Sequence, residues 1–299
     1  MAKTPLIFGL IGFPIKHSFS PAMHNAAFKK LGINAEYKRF EVKPEELEDF
    51  LHSLREKGIC GLNVTIPYKE KVLEFVELES KNNSFYVKQI KAVNTIIIRD
   101  GILKYFNTDI PGFGRALVEK NGSAKDKRIA ILGAGGASRA VAFVLAEHKA
   151  KEIAIYDIDK TKSLNIVELI RDRFPDFPIH SVDNIEDLKI KEKNLLINAT
   201  PIGMKPDDRC LITEEMLHKN LFVYDLIYNP PETKLLALAN KAKIGHSNGL
   251  NMLLYQGVCS LELFIDRKVP FEIIEVMRQA LINEINKVKL DDRFHKQGD

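Results

Sequence analysis

The sequence predicts two α/β domains, the second a Rossmann-like doubly wound parallel sheet, with C-terminal helices that pack back on the first domain. Three observations predict this. Strand-like apolar runs alternate with helix-like segments over residues 6–106, a glycine-rich turn joins a strand to a helix over residues 129–147, and no strand-like run follows residue 249. We therefore assign residues 1–108 plus 249–299 to one domain and residues 109–248 to the other.

The first domain begins with strands and helices in alternation. Alternating or continuous apolar residues predict its strands at 6–12, 35–42 and 61–66, and a hairpin over 93–107 that turns at Asp100-Gly101. Helical spacing predicts helices from Ser20 to about Leu31, from near Pro44, and over residues 69–78. Ser20-Pro21 is a typical helix start, because proline fits the first turn.

The second domain repeats a strand and helix unit. A helix is predicted from Thr108 to about Lys120, and buried strands are predicted at 129–132, 152–156, 194–200 and 221–227. Two long amphipathic segments, 250–266 and 270–287, are predicted to be helices.

The turn Gly133-Ala134-Gly135-Gly136 follows an apolar strand and opens a helix. Glycines there allow backbone N–H groups to approach a pyrophosphate, and the helix N-terminus adds partial positive charge. Asp157 ends the next strand, 24 residues after Gly133, where a carboxylate can accept hydrogen bonds from ribose hydroxyls. The third glycine of the usual pattern is replaced by Ser138. The combination predicts dinucleotide binding.

Composition narrows the class of protein. The chain has 299 residues, 45% hydrophobic content and a formal charge of +4 with both signs interspersed, so we expect small-molecule partners and no nucleic acid. No apolar run is long enough to cross a membrane. Cys60, Cys210 and Cys259 form no CxxC pair, which favours a reducing, cytoplasmic location. His17 has no second ligand at metal-binding spacing, so we expect no metal.

Several polar residues stand at predicted strand ends or turns, where they could carry chemistry. They are Ser18, Ser20, Asn63, Thr65, Lys69, Asn94 and Asp109. Taken singly, each has an ordinary explanation. Asp109 fits a helix N-cap and Lys69 fits a solvated first turn.

Taken together, eight ordered motifs resemble the shikimate dehydrogenase family, within the wider shikimate/quinate dehydrogenase group, over nearly the whole chain. The motifs are PIKHSFSPAMHNAAF (14–28), GLNVTIPYKE (61–70), AVNTI (92–96), NTDIPGF (107–113), GAGGASRA (133–140), NATPIGM (198–204), DLIYNP (225–230) and NGLNMLLYQG (248–257). The resemblance implies NAD(P)-dependent interconversion of 3-dehydroshikimate and shikimate, a cytoplasmic step toward chorismate and the aromatic amino acids.

The resemblance also implies roles for individual residues. It implies that Ser18 and Ser20 bind the substrate carboxylate. It also implies that Thr65, Asn94 and Gln256 form hydrogen bonds with substrate hydroxyls, with Asn63 close by, and that Tyr228 makes a further substrate contact. It assigns catalysis to the pair Lys69 and Asp109, with lysine as acid/base, and which of the two transfers the proton stays open. The cofactor residues that it implies are Gly133, Ala134, Gly135, Gly136 and Ala137 for the pyrophosphate, Asn198, Ala199 and Thr200 along the cofactor, and Leu226, Gly249 and Met252 near the nicotinamide.

The segment DIDKTK (157–162) departs from the Asn-Arg-Thr type of sequence common in NADP-using members. Ile158 stands where an arginine would bind a 2′-phosphate, and Asp157 and Asp159 would repel that phosphate. We therefore expect NAD to be favoured. Lys160 and Lys162 follow closely and keep NADP open.

Two alternative functions stay open. An NAD preference and a hydroxyl-lined pocket would also serve a quinate dehydrogenase. A dinucleotide or metabolite sensor without catalysis could use the same fold, although the presence of both Lys69 and Asp109 argues against it. A homodimer is one oligomeric state that the sequence leaves open.

Overall fold

A computed structural model describes residues 4–76, 81–121 and 123–295. The chain divides into two compact units. The first contains the residues up to Thr108 together with those from Leu254 onward, and the second runs from Asp109 to Leu253. The C-terminal division falls inside one helix, between Leu253 and Leu254.

The first unit is built on a five-stranded sheet in the order β2-β1-β3-β4-β5. Its strands are β1 (Leu6–Gly12), β2 (Ala35–Glu41), β3 (Ile59–Val64), β4 (Thr95–Arg99) and β5 (Ile102–Phe106). β1 pairs in parallel with β2 and β3, whereas β3, β4 and β5 pair antiparallel. The predicted hairpin is thus β4 and β5, and its turn has Asp100 and Gly101 at positive φ, as such tight turns require.

Helices cover this sheet. They are α1 (Ser20–Lys30), α2 (Leu47–His52), α3 (Tyr68–Lys71), α4 (Phe85–Ile90), the later part of α9 (Leu250–Ile265) and α10 (Phe271–His295). α10 packs on α1, and Lys30 forms an ion pair with Glu272. The C-terminal helices therefore return to the first unit, which confirms that prediction.

The core of the first unit is apolar on both sides of β1 and β3. One group includes Ile11, Leu62, Val64, Tyr68 and Ile96, all nearly inaccessible to solvent. On another side lie the rings of Phe8, Phe28, His24, Tyr37 and Phe264. Burial of this apolar area from water is the main stabilising term for such a unit.

The second unit contains a six-stranded, all-parallel sheet in the order β11-β10-β9-β6-β7-β8. Its strands are β6 (Arg128–Leu132), β7 (Glu152–Tyr156), β8 (Ile179–Ser181), β9 (Leu195–Asn198), β10 (Phe222–Asp225) and β11 (Gly245–Ser247). Numbered from β6, this is the order 3-2-1-4-5-6 of the Rossmann fold. The predicted Rossmann-like sheet is confirmed.

The helices of the second unit are α5 (Asp109–Asn121), α6 (Gly136–Glu147), α7 (Lys160–Arg173) and α8 (Lys234–Lys241), with the first turn of α9. α6 is buried along nearly all of residues 138–146, so it is apolar around most of its circumference. Chain order reverses between β6 and β9, and in open α/β sheets ligands bind beyond the carboxyl ends of strands at such a point.

One predicted helix is shorter than expected. In place of a helix over 69–78, the chain forms the single turn α3 and a 3₁₀ turn, Val72–Phe75, and Val76 is extended. The β-branched Val72 and Val76 weaken helix formation there. The last two residues of the predicted helix lie outside the described part of the chain.

Within the described residues, no helix has the length and apolar character needed to span a bilayer. Over the same residues, no cluster of three or more histidine, cysteine or acidic side chains is placed to hold a metal ion.

Candidate active site

The first group of predicted site residues lies beyond the carboxyl end of β3. Thr65 N donates to the carbonyl of Ile11 at 2.9 Å, and Val93 N donates to the carbonyl of Lys69 at 2.7 Å. Val64 N donates to the carbonyl of Asn94 at 2.8 Å. These backbone bonds bring the chain at Thr65, Lys69 and Asn94 together, although the three are spread over 30 residues.

The turn that carries Lys69 is held by its neighbours. Tyr68 is fully buried, and its hydroxyl donates to the carbonyl of Val42 at 2.5 Å. Gly12 allows β1 to approach the same turn, because a Cβ at that position would lie 2.5 Å from Thr65 Cγ2. Lys69 is thus placed on a well-anchored single turn, which suits a group that must meet a reacting oxygen.

The two serines stand at the start of α1. Ser20 is the first residue of the helix and is buried, and its N–H donates to Ser18 Oγ at 3.3 Å. The Arg39 guanidinium donates to the carbonyl of Ser18, at 2.6 Å from Nη2. A helix N-terminus and a nearby guanidinium both favour an anionic group.

Asn94 belongs to a buried polar cluster. Its Oδ1 accepts from Thr108 N at 2.7 Å, and its Nδ2 donates to Thr108 Oγ1 at 2.9 Å. The side chain is only 1% exposed. Asn63 lies in the same cluster, and its Oδ1 accepts from the Tyr37 hydroxyl at 2.8 Å.

Gln256 and Asp109 come from the later and middle parts of the chain. Gln256 is half-buried in the portion of α9 that belongs to the first unit. Asp109 is 3% exposed and is the first residue of α5, in the second unit, directly after Thr108.

In the second unit, the glycine-rich turn lies at the β6–β9 switch point. Gly133 has φ +94°, and a Cβ there would lie 2.9 Å from the carbonyl carbon of Ala199. Glycine is thus required for the approach of the two loops. Ser138, which replaces the third glycine of the pattern, is fully buried and donates from Oγ to the carbonyl of Gly133 at 2.8 Å.

Asp157 contacts the same turn. Its Oδ2 accepts from Ala134 N at 2.6 Å, and its Oδ1 accepts from Asp159 N at 2.8 Å. Asp159 in turn accepts from Thr161 N at 3.1 Å and caps α7. Ile158 between them is 94% exposed.

Two lysines follow this turn. Lys160 forms an ion pair with Asp183, and Lys162 Nζ lies 3.9 Å from Asp159 Oδ2. The segment that follows β7 therefore carries the carboxylates of Asp157 and Asp159 and the ammonium groups of Lys160 and Lys162 within six residues of the chain.

The loop after β9 is organised by Asn198. Its Oδ1 accepts from Thr200 Oγ1 at 2.7 Å, and its Nδ2 donates to Asp225 Oδ1 at 3.0 Å. Asp225 also accepts from Ile227 N and Thr233 Oγ1. Burial raises the pKa of the Asp225 carboxyl, although these hydrogen bonds oppose that change.

The remaining predicted cofactor residues follow β10 and β11. A Cβ at Gly249 would lie 1.9 Å from the carbonyl oxygen of Leu226, so these two loops also approach through a glycine. Met252 is buried in the first turn of α9, and Tyr228 is half-buried. Ala199 and Thr200 are half-buried beside the glycine turn.

Comparison with known proteins identifies the family of the chain. The model of the shikimate dehydrogenase substrate binding domain matches residues 10–96, and that of the shikimate 5′-dehydrogenase C-terminal domain matches residues 249–282. Shikimate dehydrogenase (NADP(+)) of Methanocaldococcus jannaschii is 42% identical over 290 residues, which are 96% of this chain and 99% of the relative. The chain belongs to the shikimate dehydrogenase family.

Two solved structures bear on this family assignment. A shikimate dehydrogenase in complex with NADP+ has a TM-score of 0.85 and 39% identity, covering 95% of this chain and 98% of its own. Quinate dehydrogenase from Corynebacterium glutamicum in complex with NAD has a TM-score of 0.83 and 30% identity, covering 93% and 99%. The resemblance derived from the eight motifs is confirmed.

The glycine turn of the second unit has two features that suit a dinucleotide. A Cβ at Gly135 would meet no atom within 4 Å, so the turn leaves space beside the start of α6. α6 has 12 residues and no acidic residue in its first turn, so its N-terminal N–H groups face no competing carboxylate from that turn.

Sequence reasoning missed some residues of the site. Ser260 and Thr95 are fully buried hydroxyls in the cluster around Asn94, and Arg39 contacts the loop of Ser18. A signal existed for Ser260, because it is a polar residue four positions after Gln256 in an otherwise apolar helical stretch. No local pattern indicates Arg39.

Proposed function

We propose that this chain is a shikimate dehydrogenase that catalyses the reversible NAD(P)-dependent reduction of 3-dehydroshikimate to shikimate, toward chorismate and the aromatic amino acids. The observation that carries the proposal is the assembly of Thr65, Lys69 and Asn94 by backbone hydrogen bonds at one strand end, in a chain that matches the family over almost its full length. A cytoplasmic location and a homodimer stay predictions.

Substrate binding follows from the chemistry of the first unit. Ser18 and Ser20 would bind the substrate carboxylate, since they stand at a helix N-terminus beside a guanidinium. Thr65, Asn94 and Gln256 would pair with ring hydroxyls, and Tyr228 would add a contact. Neutral donors and acceptors suit a polyol, because each buried hydroxyl must find a partner. The first unit is accordingly the substrate domain and the second the dinucleotide domain.

Proton transfer is assigned to Lys69 and Asp109. Oxidation of an alcohol requires removal of the hydroxyl proton as the hydride leaves, and reduction requires its return. Lys69 would take or supply that proton at the substrate oxygen, with Asp109 as the second member of the pair. A bound dinucleotide would supply the hydride acceptor or donor. Gly133 to Ala137 would hold its pyrophosphate, Asn198 to Thr200 would line it, and Leu226, Gly249 and Met252 would lie near its nicotinamide.

The test of this assignment is Lys69→Ala, assayed by absorbance at 340 nm with shikimate and NADP or NAD. Loss of a positioned acid/base group should lower kcat by about 10²-fold or more. Lys71→Ala is the matched control, because Lys71 is an exposed lysine of the same turn and should leave kcat within about twofold. Near-normal turnover by Lys69→Ala would remove the assignment.

The same assay separates the alternatives. Quinate dehydrogenase is the second candidate, because one structural neighbour is named for that activity. A sensor would show cofactor binding without turnover. Higher kcat/KM for quinate than for shikimate would replace the proposed substrate. Cofactor binding with no turnover of either acid would replace catalysis altogether.

Two lines of support disagree on the choice of cofactor. The relatives at 35–42% identity are named for NADP(+), which does not support the NAD preference predicted from Asp157, Ile158 and Asp159. Asp157 is already bonded to two backbone N–H groups, so its charge is partly compensated, and Lys160 and Lys162 lie next along the chain. The ratio of kcat/KM for the two cofactors decides the preference.

Ile158→Arg tests the position that governs this ratio. The side chain is 94% exposed, so the substitution removes no packing, and a guanidinium there could pair with a 2′-phosphate. We expect the ratio of kcat/KM for NADP to that for NAD to rise about tenfold or more. Ile158→Gln, polar but uncharged, should change it by less than about threefold. Equal ratios in the two variants would place 2′-phosphate recognition elsewhere.

A further inference from the structure

We propose that Ser260 is a positioning residue of the substrate site, whose hydroxyl aligns the Gln256 turn of α9 with Asn94 and the end of β3. The proposal rests on the proposed function, because it gives meaning to Gln256 and Asn94 as substrate ligands. Ser260 itself contacts the polar cluster and acts through those two residues.

Ser260 is fully buried in the largely apolar helix α9, yet its hydroxyl is surrounded by polar atoms. Ser260 Oγ lies 2.8 Å from Asn63 Nδ2, 3.0 Å from Thr108 Oγ1 and 3.1 Å from Thr95 Oγ1. It also lies 2.9 Å from the carbonyl of Gln256, one turn earlier. One hydroxyl thus joins α9, β3, β4 and the residue before α5.

The possible donors limit how these bonds are arranged. An amide nitrogen can only donate, so Ser260 Oγ accepts from Asn63. The same nitrogen also lies 3.0 Å from Thr95 Oγ1 and 3.2 Å from the carbonyl oxygen of Asn94. Asn63 Oδ1 accepts from the Tyr37 hydroxyl. The amide of Asn63 is therefore committed to the cluster, and we assign Asn63 the same positioning role.

The cluster also determines the orientation of Asn94. Asn94 Oδ1 accepts from Thr108 N at 2.7 Å and from Thr95 Oγ1 at 2.9 Å, so the carbonyl end of the amide faces these donors. The nitrogen end donates to Thr108 Oγ1, which lies within hydrogen-bonding distance of Ser260. Removal of the Ser260 hydroxyl would take away the nearest acceptor of the buried Asn63 amide and release Thr108. Buried polar groups that lose a partner shift toward the partners that remain, which for Asn63 are Thr95 and the carbonyl of Asn94.

The experiment is Ser260→Ala in the full-length enzyme. We expect kcat/KM for shikimate to fall about tenfold, mainly through KM, while KM for the cofactor stays within about twofold, because the cofactor residues are outside the cluster. Ser163→Ala is the matched control. Ser163 is equally buried in a helix and donates to the carbonyl of Lys160, but it lies in α7. It should lower the melting temperature and leave shikimate KM unchanged.

A double-mutant cycle with Asn94→Ala tests whether Ser260 acts through that residue. If it does, Ser260→Ala should reduce kcat/KM by less than about twofold in the Asn94→Ala background. Multiplicative losses, or a Ser260→Ala variant that is destabilised with unchanged shikimate KM, would overturn the proposal. If Ser260→Ala does not fold, Ser260→Cys, which keeps a weak donor of similar size, is judged by the same criteria.

The outcomes distinguish the two proposals. If the wild-type protein does not turn over shikimate, the proposed function fails and the positioning role fails with it. If the wild type turns over shikimate and Asn94→Ala is impaired while Ser260→Ala keeps the wild-type shikimate KM, only the positioning role fails.

Discussion

Individual residues control how closely the loops at the strand ends can approach. Gly133 lies against the backbone of Ala199, and Gly249 lies against the carbonyl of Leu226. Ser138 shows that the third position of the glycine pattern need not be glycine, because its small hydroxyl side chain bonds to the turn instead of separating helix from strand. The local geometry thus depends on side-chain size to within one methyl group.

Gly133→Ala should lower the free energy of unfolding by about 3 kcal/mol, because it combines an unfavourable φ of +94° with a clash against backbone. Gly135→Ala is the matched control in the same turn. Its φ is −82° and no atom lies near the added Cβ, so the change should stay within about 1 kcal/mol. Chemical denaturation of both variants without cofactor, followed by circular dichroism, makes the comparison. Equal losses would show that strain at Gly133 is unimportant.

At the scale of elements, a partly buried ion pair joins the start of β7 to the segment that enters β9. Lys193 Nζ donates to Glu152 Oε1 at 2.6 Å, and the side chains are 5% and 27% exposed. The hydrogen bond from Lys193 lowers the pKa of the Glu152 carboxyl. The pair lies at the amino ends of the strands, opposite the glycine turn, so its role is structural.

The lowered pKa predicts the direction of a pH effect. Ionised Glu152 stabilises the folded state above the ordinary carboxyl value of about 4.3, and this contribution is lost as pH falls through the lower folded pKa. Glu152→Gln should cost about 3 kcal/mol at pH 7, since it leaves a buried lysine unpaired. Its unfolding free energy should then fall less than that of the wild type between pH 5 and pH 3, a range set about the ordinary carboxyl value.

Lys193→Met is the companion variant. It removes the buried charge and leaves Glu152, which is partly exposed and can be hydrated, so it should cost less at pH 7 than Glu152→Gln. Urea denaturation at pH 7, 5, 4 and 3 measures all three proteins. A loss for Lys193→Met larger than that for Glu152→Gln would mean that packing of the lysine stem, not its charge, dominates.

At the scale of the whole molecule, two units with different sheets have the two roles that we propose, substrate binding and dinucleotide binding. The first has a mixed five-stranded sheet, and the second has the six-stranded parallel sheet with a switch point between β6 and β9.

Much of this architecture could be predicted, because strand and helix periodicity, the Asp100-Gly101 turn and the glycine motif are local signals. The prediction of a helix over 69–78 was wrong in its extent, since β-branched residues shortened the helix to a single turn.

The sequence by itself determined the fold class, the family and which residues are candidates for binding substrate and cofactor. Each of these depends on short motifs whose residues are adjacent in the chain. Only the tertiary structure decided how the side chains are used. Asn63 and Ser260 are 197 residues apart and share a hydrogen bond, and Asp157 bonds to the turn at Ala134. A buried polar group takes whichever partner the packed chain brings within about 3 Å, and chain separation carries no information about that partner.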